Sequence, residues 1–401
     1  MIAPRWPCAG LLAAGLVREG CEVHRILDLR GIFVASDPSR RRRCWSWPDS
    51  RFKSTVRVDS VFDPAFPELV GRLVEQLQID VVIPMLEPAM YELWRHPDAA
   101  WASRVFPPTN SWQRERVLSK WSMSEAARSW GVDVPLQRRA DGTDDADNTD
   151  GTDAVREAWA ELGLPLVVKD VVGGGGTRVS VCETRDEVTA EVARLIDAEG
   201  VPLLQEYVDG LTYIAGGLFQ DGRAVRLYTG VKLQQHPARV GPSTLLRSVD
   251  EPELTAATLK VFEGLRWTGM ASADFVRRPE GGFAFLEVNP RPWGALGAAL
   301  DAGIDFAGPY AAILRGERPA SDLRSPAGRE FRLPAARILG HVTRGTAREA
   351  LAVLSDRSAW DDIAWGDRGE VVDATLHRLR NARQARRAIK PSAAGSSAGT
   401  A

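Results

Sequence analysis

The segment Gly269 to Asn289, GMASADFVRRPEGGFAFLEVN, constrains the fold more than any other stretch of the 401-residue chain. Two strand-like runs flank Pro279-Glu280-Gly281-Gly282, a turn sequence that closes a short hairpin. With those four residues as the loop, Arg278 faces Phe283, and counting back along both strands sets Asp274 opposite Glu287. Directly opposed residues hold their Cβ atoms about 4.5 to 5.5 Å apart, and like charges there are destabilising unless something neutralises them. Asn289, two residues beyond Glu287, projects from the same face. Two carboxylates and an amide oxygen form an oxygen-only set, which suits Mg²⁺ better than zinc or copper. The alternative is an edge hairpin whose acids face water. The apolar neighbours Phe283, Phe285, Leu286 and Val288 argue instead for a buried strand.

A second feature lies upstream. Leu164 to Val172 (LPLVVKDVV) reads as a strand with Lys169 inside it, followed by Gly173-Gly174-Gly175-Gly176-Thr177 and a strand from Arg178 to Cys182. Glycines between two strands give a loop whose amides can approach an anion closely. No Gly-Lys-Ser/Thr follows and the loop leads into a strand, so this is not a Walker A loop. A glycine run alone is equally a flexible hairpin tip; a lysine buried in the preceding strand, which needs an anionic partner, sharpens the reading. Lys120 sits early in a helix expected from Gln113 to Trp130. Pro202 to Val208 (PLLQEYV) reads as a strand ending at Asp209-Gly210, a hinge where backbone groups could pair with an adenine edge.

The first hundred residues alternate helix and strand signals: a small-residue helix from Cys8 to Arg18, a strand from Glu22 to Ile26, an amphipathic helix from Pro67 to Leu77 and a buried-strand run from Asp80 to Pro84. That is a βαβ-type unit with a parallel sheet. Its opening strand is reduced to Met1 to Ala3 or lies upstream, and the Cys8 to Val17 segment reads as a surface helix. A Pro-Pro-Thr-Asn cluster sets a boundary near 107. Ala140 to Asp153 is an acidic stretch without apolar periodicity; it lacks the closing Glu of a calcium loop and reads as a solvated insertion. Val188, Val192, Leu195 and Ile196 place a helix over Asp186 to Ala198. Beyond about Pro319 follow a mixed segment, an Arg-rich helix from Val371 to Lys390 whose basic last turn complements its dipole, and a tail from Pro391 expected to be disordered.

Charge excludes some partners. With 51 basic and 53 acidic residues, the chain offers no sustained field toward nucleic acid or a membrane surface. No window approaches the ~18 apolar residues of a membrane span. Four cysteines and five histidines are scattered, which disfavours a zinc site or disulfide framework and fits a cytoplasmic protein. A G-x-G-x-x-G after the first strand is missing, which disfavours an NAD-linked enzyme.

Taken in order, these residues resemble the ATP-grasp superfamily, its carboxylate-amine ligase and carbamoyl-phosphate-synthase-like branches in particular, over roughly residues 1 to 320. The resemblance implies a fold of α/β and α+β class. A preATP-grasp βα domain (1–106) would precede a two-subdomain ATP-grasp fold (107–320, hinge near 205–210), a helical extension (321–390) and a tail (391–401). It implies ATP and Mg²⁺ as cofactors, with Mn²⁺ able to substitute, and small-molecule carboxylate and amine substrates; it leaves room for a homodimer.

By the same resemblance, Lys120 and Lys169 match the two ATP lysines, Gly173 to Thr177 the phosphate-covering loop, and Gln205, Glu206, Tyr207 and Val208 the adenine-contacting strand. Asp274, Glu287 and Asn289 match the metal ligands, and Arg291 the arginine that holds phosphate or an acyl phosphate. Lys232 and Arg247 are candidates for holding substrate or the γ-phosphate, or else are solvated strand residues; His236 reads as structural. Two positions depart from the pattern: Thr212 stands where many members have a ribose-binding glutamate, and Ser119 replaces a common aspartate before the first lysine. The implied reaction is ADP-forming ligation through an acyl phosphate. The alternatives are a kinase on the same fold and a nucleotide-binding regulatory protein.

Overall fold

The computed structural model describes residues 1–3, 7–28, 50–140, 152–173, 178–235 and 238–333. Most of the acidic stretch, Gly174 to Thr177, His236, the basic helix and the tail lie outside the described residues.

The N-terminal unit runs β1 (Ile2–Ala3), α1 (Pro7–Arg18), β2 (His24–Asp28), β3 (Ser54–Val58), α2 (Phe66–Gln76) and α3 (Glu87–Trp94). Its strands pair in parallel in the order β1-β2-β3. The DVVIP run continues the sheet as single parallel bridges, Ile2 to Pro84 and Val82 to Val105. The expected parallel unit is therefore present, but α1 is not a surface helix. Cys8, Ala9, Leu12, Ala13 and Leu16 are all buried. A helix apolar around most of its girth has no face to give to water. Its small residues let neighbours close in: a Cβ on Gly15 would stand 2.5 Å from Ala307 Cβ.

The rest comprises α4 (Ser111–Leu118), α5 (Lys120–Ser129), β4 (Gln137–Arg139), α6 (Thr152–Leu162), β5 (Leu166–Asp170), β6 (Val179–Cys182), α7 (Arg185–Asp197) and β7 (Pro202–Glu206). Then come β8 (Thr212–Gln220), β9 (Arg223–Gln235), β10 (Ser243–Ser248), α8 (Pro252–Leu265), β11 (Gly269–Arg277), β12 (Phe283–Asn289), α9 (Leu296–Asp301), α10 (Ala307–Leu314) and β13 (Glu330–Arg332). A four-stranded antiparallel sheet, β4-β7-β5-β6, faces a six-stranded one, β12-β11-β8-β9-β10-β13. Because β13 is its edge strand, the larger sheet extends past residue 320.

The single helix expected from Gln113 to Trp130 is two. Ser119 is extended (φ −112°, ψ 114°) and its hydroxyl accepts from Ser122 N–H, capping α5. The break makes Lys120 the first residue of α5, and its N–H donates to Val171 O at 2.9 Å. A local helix break thus ties that lysine to the end of β5.

Both faces of the six-stranded sheet are covered. One carries Phe219, Phe275, Phe285 and Trp267 against Phe262 of α8; the other carries Leu218, Tyr228, Leu246 and Met270 with Trp293 and α1. The β11–β12 hairpin serves both sides through a register irregularity. Asp274 does pair with Glu287, but Phe275 pairs with Phe285 and Arg277 with Phe283. The turn therefore spans residues 278–282, one longer than the sequence suggests, and Leu286 is a β-bulge. The cause is packing. Unbroken pairing would turn Phe283 and Phe285 to the face of the acids. With the bulge, both phenylalanines lie in the core, Phe285 edge-on to Phe275 (5.7 Å) and Phe283 edge-on to Tyr213 (4.9 Å).

Among the described residues no helix is long and apolar enough to cross a membrane. Phe285→Ala, at 0% exposure, should lower unfolding free energy in denaturant titration by about 3–5 kcal/mol; a loss within about 0.5 kcal/mol, the scale of an inert surface substitution, would show that the ring does not anchor the bulge.

Candidate active site

A cleft of about 990 Å³ opens between the two antiparallel sheets. Lys169 of β5 and Gln205 of β7 line one side, Lys232 of β9, Asp274 of β11 and Glu287 of β12 the other, and residues 207–211 join the sheets at the back. Gly210 has to be glycine there, since a Cβ would stand 1.9 Å from Arg277 O.

The acidic pair has the geometry that the strand period demands. Asp274 faces Glu287 and Asn289 faces Ser272, so all three oxygen-bearing groups share one face. Asp274 Oδ2 accepts from Lys232 Nζ at 2.7 Å, whereas its Oδ1 is buried without a hydrogen-bond partner. Burial raises the Asp274 pKa, Lys232 opposes the rise, and Glu287 adds to it. Lys120 Nζ is 3.9 Å from Glu287 Oε2 and also donates to the carbonyl of Gly173. An orphaned carboxylate oxygen facing a second carboxylate is what a divalent cation would satisfy, and the hard oxygen donors fit Mg²⁺. Among the described residues no three of His, Cys, Asp and Glu converge; the third oxygen donor on this face is the amide of Asn289.

Lys169 is buried, its Nζ donating to Gln205 Oε1 at 3.1 Å and lying 3.5 Å from Leu286 O on the bulge. Its pKa is pushed down to about 7, by burial first and then by Lys120, against the pull of Glu287. Gln205 Nε2 in turn reaches Gln137 Oε1 at 3.4 Å. Of the other expected residues on this strand, Glu206 accepts from Leu136 N–H at 2.9 Å, and Tyr207 lies 5.4 Å beneath the Arg239 guanidinium. Val208 and Thr212 line the cleft. Gly173 is in place; the remainder of its loop lies outside the described residues.

Arg291 is buried beside the acids. Its Nη1 donates to Pro292 O at 3.2 Å, Nη2 is 3.5 Å from Asn289 Oδ1, and Nε is 2.8 Å from Glu87 Oε2. Glu87 is a residue that sequence reasoning missed. It opens α3 in the N-terminal unit, and a small recess that it lines with Tyr91 also touches Lys120, Gly173, Glu287 and Asn289. The available signal was an acid directly before a helix-starting proline at the end of the DVVIP run. Arg247, by contrast, is not part of the site. It pairs in register with Val231 while Lys232 pairs with Leu246, so it leaves the opposite face and bonds Glu330 at 2.6 and 3.1 Å. A strand residue one position from Leu246 necessarily points the other way.

Four cations, Lys120, Lys169, Lys232 and Arg291, therefore surround two facing carboxylates, with Glu87 behind them. Such a site can hold a polyanion together with a divalent cation.

Comparison with known proteins agrees with this geometry. Residues 117–295 match the ATP-grasp domain family. The D-alanine–D-alanine ligase of Chromohalobacter salexigens is 28% identical over 207 residues, which cover 48% of this chain and 61% of that protein, so less than two thirds of that relative's length is spanned. Among solved structures, the L-amino acid ligase from Bacillus licheniformis is similar at 16% identity and a TM-score of 0.57, covering 78% of this chain and 74% of the other. The ADP complex of N5-carboxyaminoimidazole ribonucleotide synthetase reaches a TM-score of 0.62 at 15% identity, covering 87% and 84%. At such identities the structural likeness speaks for the fold. The family match and the arrangement of strands and acids agree over the same stretch, so residues 117–295 of this chain are an ATP-grasp domain.

Proposed function

We propose that the protein is an ADP-forming ligase that activates a substrate carboxylate as an acyl phosphate for capture by an amine. The observation that carries this reading is the half-buried Asp274–Glu287 pair, one buried oxygen of it unsatisfied, with Lys120, Lys169, Lys232 and Arg291 around it. The ligase relatives, and the ADP bound in one structural neighbour, support it.

Phosphoryl transfer needs placement and charge neutralisation more than covalent help from the protein. Asp274, Glu287 and Asn289 would hold Mg²⁺, which would supply charge neutralisation for the phosphates of ATP. Lys120 and Lys169 hold the α- and β-phosphates, and the backbone of Gln205 to Val208 takes the adenine edge. Thr212 stands near the ribose in place of an acid. Lys232 exchanges its bond to Asp274 for one to the γ-phosphate. Arg291 takes the substrate carboxylate and then the acyl phosphate, giving up its bond to Glu87. Gly173 and the loop that follows it keep water from the intermediate.

Three outcomes test this. With ¹⁸O in the carboxylate of each member of a panel of amino acids and other acids, label should appear in inorganic phosphate. Label-free phosphate with ADP release would indicate a kinase, and AMP would sink the mechanism. Glu287→Gln should lower turnover by about 100-fold and raise the Mg²⁺ concentration for half-activation; full turnover in that variant would reject the metal assignment. The third concerns Lys169, whose free-protein pKa is about 7. Phosphate beside it favours the ammonium, so binding takes up a proton above that pH, and the affinity contributed by this lysine falls as pH rises. Calorimetry at pH 8.5 in two buffers of different ionisation heat should show proton uptake with ADP, absent in Lys169→Met. Equal uptake in both would remove Lys169 from the phosphate site.

A further inference from the structure

The five-residue turn frees Arg278 from strand pairing, and its side chain then bridges two sheets. Nε and Nη2 donate to the carboxylate of Asp133 at 2.6 and 3.2 Å, while Nη1 donates to Glu206 Oε1 at 2.9 Å. The other oxygen of Glu206 accepts from Leu136 N–H, and the backbone N–H of Glu206 donates to Leu136 O, both near 2.9 Å (2.9 and 2.8 Å). The segment carrying Asp133 is stitched to the hairpin as well: Phe285 N–H donates to Asp133 O at 2.8 Å. Arg278 is only 17% exposed, so these are charge-assisted bonds with limited competition from water. One guanidinium thus fixes the end of β7 against the tip of the hairpin that carries the acids.

We propose that Arg278 is a positioning residue that sets the spacing between the nucleobase strand and the metal-binding hairpin. This rests on the reading that Glu206 to Val208 take the base. Held on both carboxylate oxygens, Glu206 cannot swing into the cleft, and the backbone groups after it keep a fixed height above the phosphate lysines. Loss of the guanidinium lets the base end drift while leaving Lys120, Lys169 and the acids in place. Arg278 is not among the residues lining the cleft and acts through Glu206, so its effect falls on nucleotides that have a base.

Binding of ADP and of tripolyphosphate, which has no base, is compared by calorimetry in wild type, Arg278→Ala, Arg278→Lys and Glu206→Gln. Glu206→Gln leaves Arg278 its bonds to Asp133 and so tests the bridge even where Arg278→Ala fails to fold. Loss of one charge-assisted bond should weaken ADP about tenfold in Arg278→Ala and Glu206→Gln, with tripolyphosphate unchanged and Arg278→Lys intermediate. The double variant should bind ADP no worse than the weaker single one. Hydrogen exchange at the amides of 205–208 should quicken. Unchanged ADP affinity in Glu206→Gln, or equal weakening of both ligands, overturns the proposal. A wild type that binds tripolyphosphate but gains nothing from the base of ADP overturns the base-strand reading instead.

Discussion

Two carboxylates held face to face in a buried strand pair are the arrangement on which the rest of this molecule depends. Asp274 and Glu287 would repel each other if nothing else were near, and burial makes the repulsion worse. Every charged group around them makes sense as compensation. Lys232 bonds one, Lys120 stands near the other, and Lys169, buried and close to the Lys120 ammonium, holds its own proton loosely against the pull of Glu287. The remaining deficit sits on Asp274 Oδ1. A protein that retains such a defect, when an Asn and an Ala would pack more cheaply, keeps it for a ligand.

Each unit contributes to that one spot by a different route. The small sheet sends Lys169 across, α5 starts with Lys120 because Ser119 breaks the helix, and the N-terminal unit supplies Glu87 to hold Arg291. The N-terminal unit is therefore no mere appendage. Glu87 keeps a buried guanidinium neutralised, and breaking so enclosed a pair without replacement is costly.

What could be read from the chain was what depends on short-range period. The alternation along 269–289 put Asp274, Glu287 and Asn289 on one face, and the Lys169 strand and the hinge fell in their places. What could not be read depends on what those strands meet. The Leu286 bulge follows from the demand of two phenylalanines for the core, and α1 is buried because α9 and α10 return from far along the chain. Of the two readings open for Arg247, the solvated strand residue holds for the simplest reason, that a strand residue shifted by one points away, and β9 and β10 carry irregularities of their own near there. Glu87 lies some two hundred residues from Arg291, and no local pattern joins them.

The bulge at Leu286 also bears on how this hairpin can change over generations. A four-residue turn with unbroken pairing and a five-residue turn with one bulged residue set the same two acids opposite each other. The strand therefore carries a spare residue. Losing it, or trimming or lengthening the tip between Arg277 and Phe283, leaves the acids facing, whereas losing Ala284 alone would make the two phenylalanines neighbours and send one of them out of the core. Length variation at the tip among descendants of this sequence thus leaves the pairing of the two acids unchanged, whereas a change of length inside the strand is felt through its aromatic residues.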